Sequence, residues 1–233
     1  MDQNGSARPP FCLAAATPGS GKRAAVNSRL ANAAFPAIFT GDKRFPESQS
    51  MILPIVHYPA PVLRQSGAPV VKIDDEIRRL ADDMVETMYD AHGVGLAAQQ
   101  VGVAIQLAVV DVSHDEECVS YLRVNGEERR LADICPLVFV NPSLKLRGPK
   151  EGETEGCLSF PDLRGEIIRP SEVVATVGTL SGETLVIETD GLFSRAIQHE
   201  TDHLFGRLFI DRMSSARKLA IRPLLREMQE QFR

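Results

Sequence analysis

The sequence predicts an α+β domain in which a mostly antiparallel set of short strands is bracketed by helices. Three observations carry that prediction. Apolar residues recur at helical spacing over residues 74–92, 191–204 and 214–232. Between the first two stretches lie short runs rich in Val, Ile and Leu, punctuated by turn residues. All of this follows an abrupt change of texture at Ile52, where the chain turns to Ile-Leu-Pro-Ile-Val.

Residues 1–50 are rich in Ala, Ser, Gly and Pro, with Pro9-Pro10 and Pro18-Gly19-Ser20-Gly21 as breakers. They hold six basic residues against three acids, whereas the remainder holds 20 against 28. The one short apolar run, Phe11 to Ala16, sits behind Pro-Pro and fits a secretory signal poorly. An unstructured leader is expected over 1–50, with an organellar transit peptide or a translation start at Met51 as alternatives. The folded domain is expected over 51–233.

In residues 74–92, Ile77, Leu80, Ala81, Met84, Val85 and Met88 share one helix face. Asp74 can cap its start, and Gly93 stands where a C-terminal glycine would end it. Ile105 to Val112 is a buried-strand candidate. Tyr121 to Val124 and Arg129 to Leu131 flank Asn125-Gly126, a hairpin signal. Leu137 to Val140, Ile167-Ile168, Val173 to Thr179 and Leu185 to Glu188 complete the strands, with Ser181-Gly182 as a turn. The second helix, 191–204, spaces Leu192, Ala196, His199 and His203 by three and four. A third is expected from about Ser214 to Phe232, bent at Pro223. No internal repeat is present.

Composition narrows the function. The chain has 233 residues, 43% of them apolar and 24% charged, which is a globular balance and rules out wholesale disorder. A formal net charge of -5 disfavours a general nucleic-acid binder, so no DNA partner is expected. No apolar run approaches the ~18 residues of a membrane-spanning helix, so no membrane partner is expected either. The cysteines, Cys12, Cys118, Cys135 and Cys157, form no Cys-x-x-Cys pair, which fits a reducing compartment.

The sharpest motif is Gln198-His199-Glu200-Thr201-Asp202-His203-Leu204, containing His-Glu-x-x-His. Residues four apart share a helix face, so His199 and His203 can offer imidazole nitrogens to one metal ion, while Glu200 can take a proton from a water beside it. A catalytic site of this kind needs a third protein ligand. Extended zinc-protease motifs would place it at position 209, which is Phe. Glu227 and Cys157 are the other candidates, and spacing alone does not choose between them. A third segment, Gly93-Val94-Gly95-Leu96-Ala97-Ala98-Gln99-Gln100-Val101-Gly102, has glycines and alanines that let backbone approach a ligand, with a glutamine amide to donate to a carbonyl. It lacks the lysine of a phosphate loop and the spacing of a dinucleotide fingerprint.

Taken in order, Gly-Val-Gly-Leu-Ala-Ala-x-Gln, Glu155-Gly156-Cys157-Leu158-Ser159 and Gln-His-Glu-x-Asp-His-Leu resemble the three signature motifs of bacterial-type peptide deformylases. The resemblance extends over residues 51–233, including Pro61-Val62-Leu63-Arg64 and Gly206-Arg207-Leu208-Phe209-Ile210-Asp211, and leaves out 1–50. Residues 114–135 stand apart as a longer acidic insertion. The resemblance implies antiparallel β-sheets around a central helix carrying His-Glu-x-x-His, with an N-terminal and a C-terminal helix. It implies removal of the N-formyl group from the initiator methionine of nascent peptides, releasing formate. It makes Cys157 the third ligand with His199 and His203, holding one iron(II) per chain, replaceable by nickel, cobalt or zinc. Glu200 becomes the base, with Gln100 and the Leu158 backbone N–H holding the developing oxyanion. Val94, Gly95 and Arg164 are expected to bind the peptide, and Leu158 to wall the methionine pocket.

Residues 214–233 carry five basic residues against Glu227 and Glu230. In related bacterial enzymes a C-terminal helix docks on the ribosome, so the same is expected here, in the cytoplasm, or in an organelle if 1–50 is a transit peptide. Two rival readings remain at this stage: a His-Glu-x-x-His metallopeptidase using Glu227, and a non-catalytic module that binds nascent chains.

Overall fold

The computed structural model describes residues 50–115 and 120–232. The expected leader lies outside them apart from Ser50. The first helix, α1 (Asp75–Asp90), starts as expected, with the Asp74 side chain accepting from Ile77 N–H. Its end differs. The left-handed position is taken by His92 (φ 54°), while Gly93 follows and its N–H closes the last turn on Met88 C=O at 2.8 Å. Gly93 is needed for another reason: a Cβ there would stand 2.8 Å from Leu158 Cδ1. The stretch beginning at Met51 lies along α1, with Leu53 N–H donating to Thr87 Oγ1 at 2.8 Å.

The strands form one seven-stranded antiparallel sheet among the described residues, in the order β1-β2-β5-β6-β7-β3-β4. Strand β1 (Gly95–Ala97) pairs with β2 (Leu107–Val110), shorter than the expected 105–112. Strands β5 (Leu137–Cys157) and β6 (Phe160–Gly178) are far longer than the fragments expected from the sequence and form a protruding hairpin arm. Pro142 and Pro149 sit at register shifts beside Asn141 (φ 50°) and Gly148 (φ 74°). Bulges let a long strand tolerate residues without an N–H donor.

Strands β3 (Leu122–Val124) and β4 (Glu127–Glu128) form the expected hairpin, with Asn125 and Gly126 both left-handed. The return strand is two residues rather than 129–131; Leu131–Asp133 is a 3-10 turn. This hairpin, from the acidic insertion, adds to the edge of β7 (Thr184–Thr189). It is also tied to the chain just before the second helix, where Tyr121 N–H donates to Asp190 Oδ1 at 2.9 Å.

The second helix, α2 (Gly191–Leu204), matches its expected bounds, and every residue from Leu192 to Leu204 is buried. Leu192, Phe193, Ala196 and Ile197 pack into the main core with Phe139, Val173, Ala175 and Ile187 of the sheet. A second core gathers α1 with β1 and β2. The expected single C-terminal helix is two, α3 (Ser215–Ala220) and α4 (Arg222–Gln231), because Pro223 belongs to the first turn of a new helix rather than to a bend. Met228, Leu224, Leu225 and Phe232 hold α4 on a third core with Phe160 and Phe209, leaving Arg222 and Arg226 exposed. No helix among the described residues is long and apolar enough to cross a membrane.

Candidate metal centre

Three chain segments converge on one buried point. Cys157 ends β5, and His199 and His203 lie one turn apart on α2. One ligand atom from each falls within 4.8 Å of the others. Cys157 Sγ is 3.3 Å from His203 Nε2. Bond lengths of about 2.0–2.3 Å to a single ion suit that spread, and one thiolate with two imidazoles is a donor set for iron, nickel, cobalt or zinc. Among the described residues this is the one cluster able to hold a metal. Glu227 lies exposed on α4. Phe209, where an extended motif would have histidine, instead packs its ring 6.1 Å from that of His199.

Behind His199 stands a buried charge network. Glu155 Oε2 accepts from His199 Nδ1 at 3.0 Å, which leaves Nε2 as the ring nitrogen available to an ion. Glu155 is wholly buried and also accepts from Arg169 through Nε at 2.6 Å and Nη2 at 2.9 Å, and from Arg195 Nη1 at 2.7 Å. Burial alone would raise its carboxyl, but the bonds from His199 and Arg169 outweigh it and hold it well below the usual carboxylate range. Arg169 Nη1 reaches Asp202 Oδ2 at 2.8 Å, and Asp202 is likewise lowered against burial by Arg212 and Arg169. Burial and the His199 charge push His203 well below the usual histidine value. His199 is raised to about 10 because bonds to Cys157 and Glu155 overcome burial, so metal binding there displaces a proton.

Glu200 is buried, and its Oε2 has no hydrogen-bond partner. Burial lifts its carboxyl to about 7, against the pull of His199 and Arg169. A carboxylate in that state suits proton transfer. Gly95 explains its own identity, since a Cβ there would overlap Glu200 Oε1 and stand 2.8 Å from Cδ. Gln100 is buried in the 3-10 turn Ala98–Val101 that follows β1. Its Oε1 accepts from Ala97 N–H at 2.8 Å, which turns Nε2 toward Cys157 Sγ at 3.5 Å. Leu158 occupies the two-residue turn between β5 and β6, over Gly93.

The structure thus brings together Cys157, His199, His203, Glu200, Gln100, Leu158 and Gly95. Val94 is half-buried and packs against the main core, and its C=O accepts from Asp111 N–H at 3.0 Å. Arg164 is exposed, and its carbonyl accepts from Arg217 Nη2 at 3.0 Å. Sequence reasoning missed Glu155, Arg169, Arg195 and Asp202 as functional residues. Glu155 had a readable signal, because it lies two positions before Cys157 and so shares its strand face. Arg169, an isolated arginine in a strand, had none.

A sequence model of the family described as polypeptide deformylase matches residues 52–219. The peptide deformylase of Methylacidiphilum infernorum is 45% identical over 179 residues, covering 77% of this chain and 94% of that protein. The crystal structure of Plasmodium falciparum peptide deformylase superposes with a TM-score of 0.65 at 34% identity, covering 77% of this chain and 96% of that one. That of an Arabidopsis thaliana peptide deformylase gives 0.66 at 33% identity, covering 77% and 91%. The chain belongs to the polypeptide deformylase family.

Proposed function

We propose that Cys157, His199 and His203 hold one divalent metal ion, with which residues 51–233 remove the N-formyl group from the N-terminal methionine of nascent polypeptides and release formate. The observation that carries this reading is the meeting of a thiol, two imidazoles and a buried, unpartnered carboxylate at one point. Bound there, the ion supplies Lewis acidity that activates water. In the cell we assign it as iron(II), which nickel, cobalt or zinc can replace.

The side chains around it divide the work. Glu200 accepts a proton from the attacking water as oxygen adds to the formyl carbon. Gln100 Nε2 and the Leu158 N–H donate to the formyl oxygen as negative charge builds on it. Glu200 then returns the proton to the departing amine nitrogen as the C–N bond breaks, leaving formate and a free N-terminus. Val94 and Gly95 line the peptide path, Leu158 walls the methionine side chain, and Arg164 reaches residues further along.

The exposed position of Glu227 removes the ligand that a metallopeptidase reading would require. The non-catalytic reading gives no account of why Glu200 and Gln100 are held at the ligand cluster. The enzyme is assigned to the cytoplasm, with the exposed cations of α3 and α4 facing the ribosome. Deleting residues 214–233 should abolish salt-sensitive co-sedimentation with ribosomes, and unchanged co-sedimentation would refute that assignment.

Two substitutions separate the roles. Glu200→Ala should keep one metal per chain yet lose at least about 10²–10⁴-fold in formate release, because base and acid vanish together; wild-type turnover would sink the role. Cys157→Ser should lower metal content measured after dialysis, and an unchanged content would point to a different third ligand.

A further inference from the structure

Arg212 plays no part in the chemistry above, yet it closes the network behind His199. It ends the 3-10 turn Phe209–Arg212, with its guanidinium paired edge-on to Asp202: Nε to Oδ2 and Nη2 to Oδ1, each 2.5 Å. Asp202 precedes His203 on α2 and shares Oδ2 with Arg169. Arg169 gives its remaining edge to Glu155, and Glu155 holds Nδ1 of His199. Exposure falls inward along this path, from 31% for the Arg212 side chain to 7% for Asp202 and 0% for Arg169. Glu153, Glu155 and Asp202 alternate with Arg169, Arg195 and Arg212 along this network, and Arg212 is its outermost cation.

The turn that carries Arg212 is itself held. Leu208 N–H donates to Asp211 Oδ2 at 2.8 Å, Arg64 pairs with the same carboxylate, and Lys218 of α3 donates to Asp211 C=O at 2.6 Å. The next residue, Met213, is buried against Gly165. Arg212 is therefore presented to Asp202 by a fixed piece of backbone.

We infer that Arg212 is a positioning residue of the metal centre, acting on His199 through Asp202, Arg169 and Glu155. This rests on the reading of Cys157, His199 and His203 as metal ligands. Without Arg212, Asp202 Oδ1 loses its partner inside the protein, and a buried carboxylate so stripped draws on the donor that remains. That donor is Arg169, whose bonds to Glu155 loosen in turn and free the His199 ring. Partners outside the ligand shell are worth about 10–100-fold in metal affinity, and Arg212 acts at several removes, so its effect belongs near the lower figure.

The test uses the full chain loaded with cobalt(II), timing release to excess chelator well below the thermal midpoint and recording the visible cobalt spectrum. Arg212→Met should release the ion about ten-fold faster with an altered spectrum. Arg212→Lys, a point charge that cannot pair edge-on, should fall between that variant and wild type. Arg207→Met, in an exposed arginine lining a groove with Asp202 and Arg212, should match wild type. Release from Arg212→Met at the wild-type rate or slower, or a lower thermal midpoint with wild-type release and spectrum, overturns the inference. Should Arg212→Met not fold, Arg212→Lys decides alone, and wild-type release from it is the contrary result. If the wild-type chain takes up no cobalt, the metal reading itself fails and this inference falls with it.

Discussion

Glu155 joins the elements that make the site. It sits on β5 and accepts from Arg169 on β6 and from Arg195 and His199 on α2. A wholly buried carboxylate is costly unless charge and hydrogen bonds meet it on every side, and removing one partner of such a pair typically costs about 3–5 kcal/mol. The hairpin arm therefore cannot shift against α2 without stripping that carboxylate. Cys157 and Glu155 lie on the same arm, two residues apart, so whatever holds Glu155 to the helix also holds the thiol opposite the histidines.

The side chains proposed to react inherit their placement from this joint. Glu200 follows His199 on the helix and packs against the bare backbone of Gly95. Gln100 is turned by its bond to Ala97 N–H, which leaves its Nε2 facing Cys157 Sγ before a substrate arrives. Such preorganisation is what makes a hydrogen-bond donor effective at a developing charge. The acidic insertion, which had no evident role in the sequence, extends the sheet and braces the chain at Asp190, where α2 begins.

The first two helices were legible from periodicity, helped in α1 by a cap: α2 falls at its expected residues, and α1 starts just after the Asp74 cap. The Asn125-Gly126 turn was legible because only two left-handed residues make it. The β5–β6 arm was not. Pro142, Gly148 and Pro149 look like breakers one at a time, and only pairing shows them to be bulges. Position 93 misled in a different way, since glycine there answers to Leu158 across the fold rather than to the local helix end. Cys157, Glu200 and Gln100 were singled out from their motifs, whereas the network of Glu155, Arg169, Asp202 and Arg212 was not. Charged residues in strands ordinarily read as solvent-facing, and burial is a property of tertiary contact.

Hydrolysis of a formyl group is the chemistry these residues are proposed to perform. The most direct measurement is formate release from a short formyl-methionyl peptide by residues 51–233, purified without oxygen and loaded with iron(II) or nickel(II), beside the acetylated peptide. Formate from the formyl peptide, and no cleavage of the acetylated one, is the predicted result. One bound metal per chain with no formate released would contradict it.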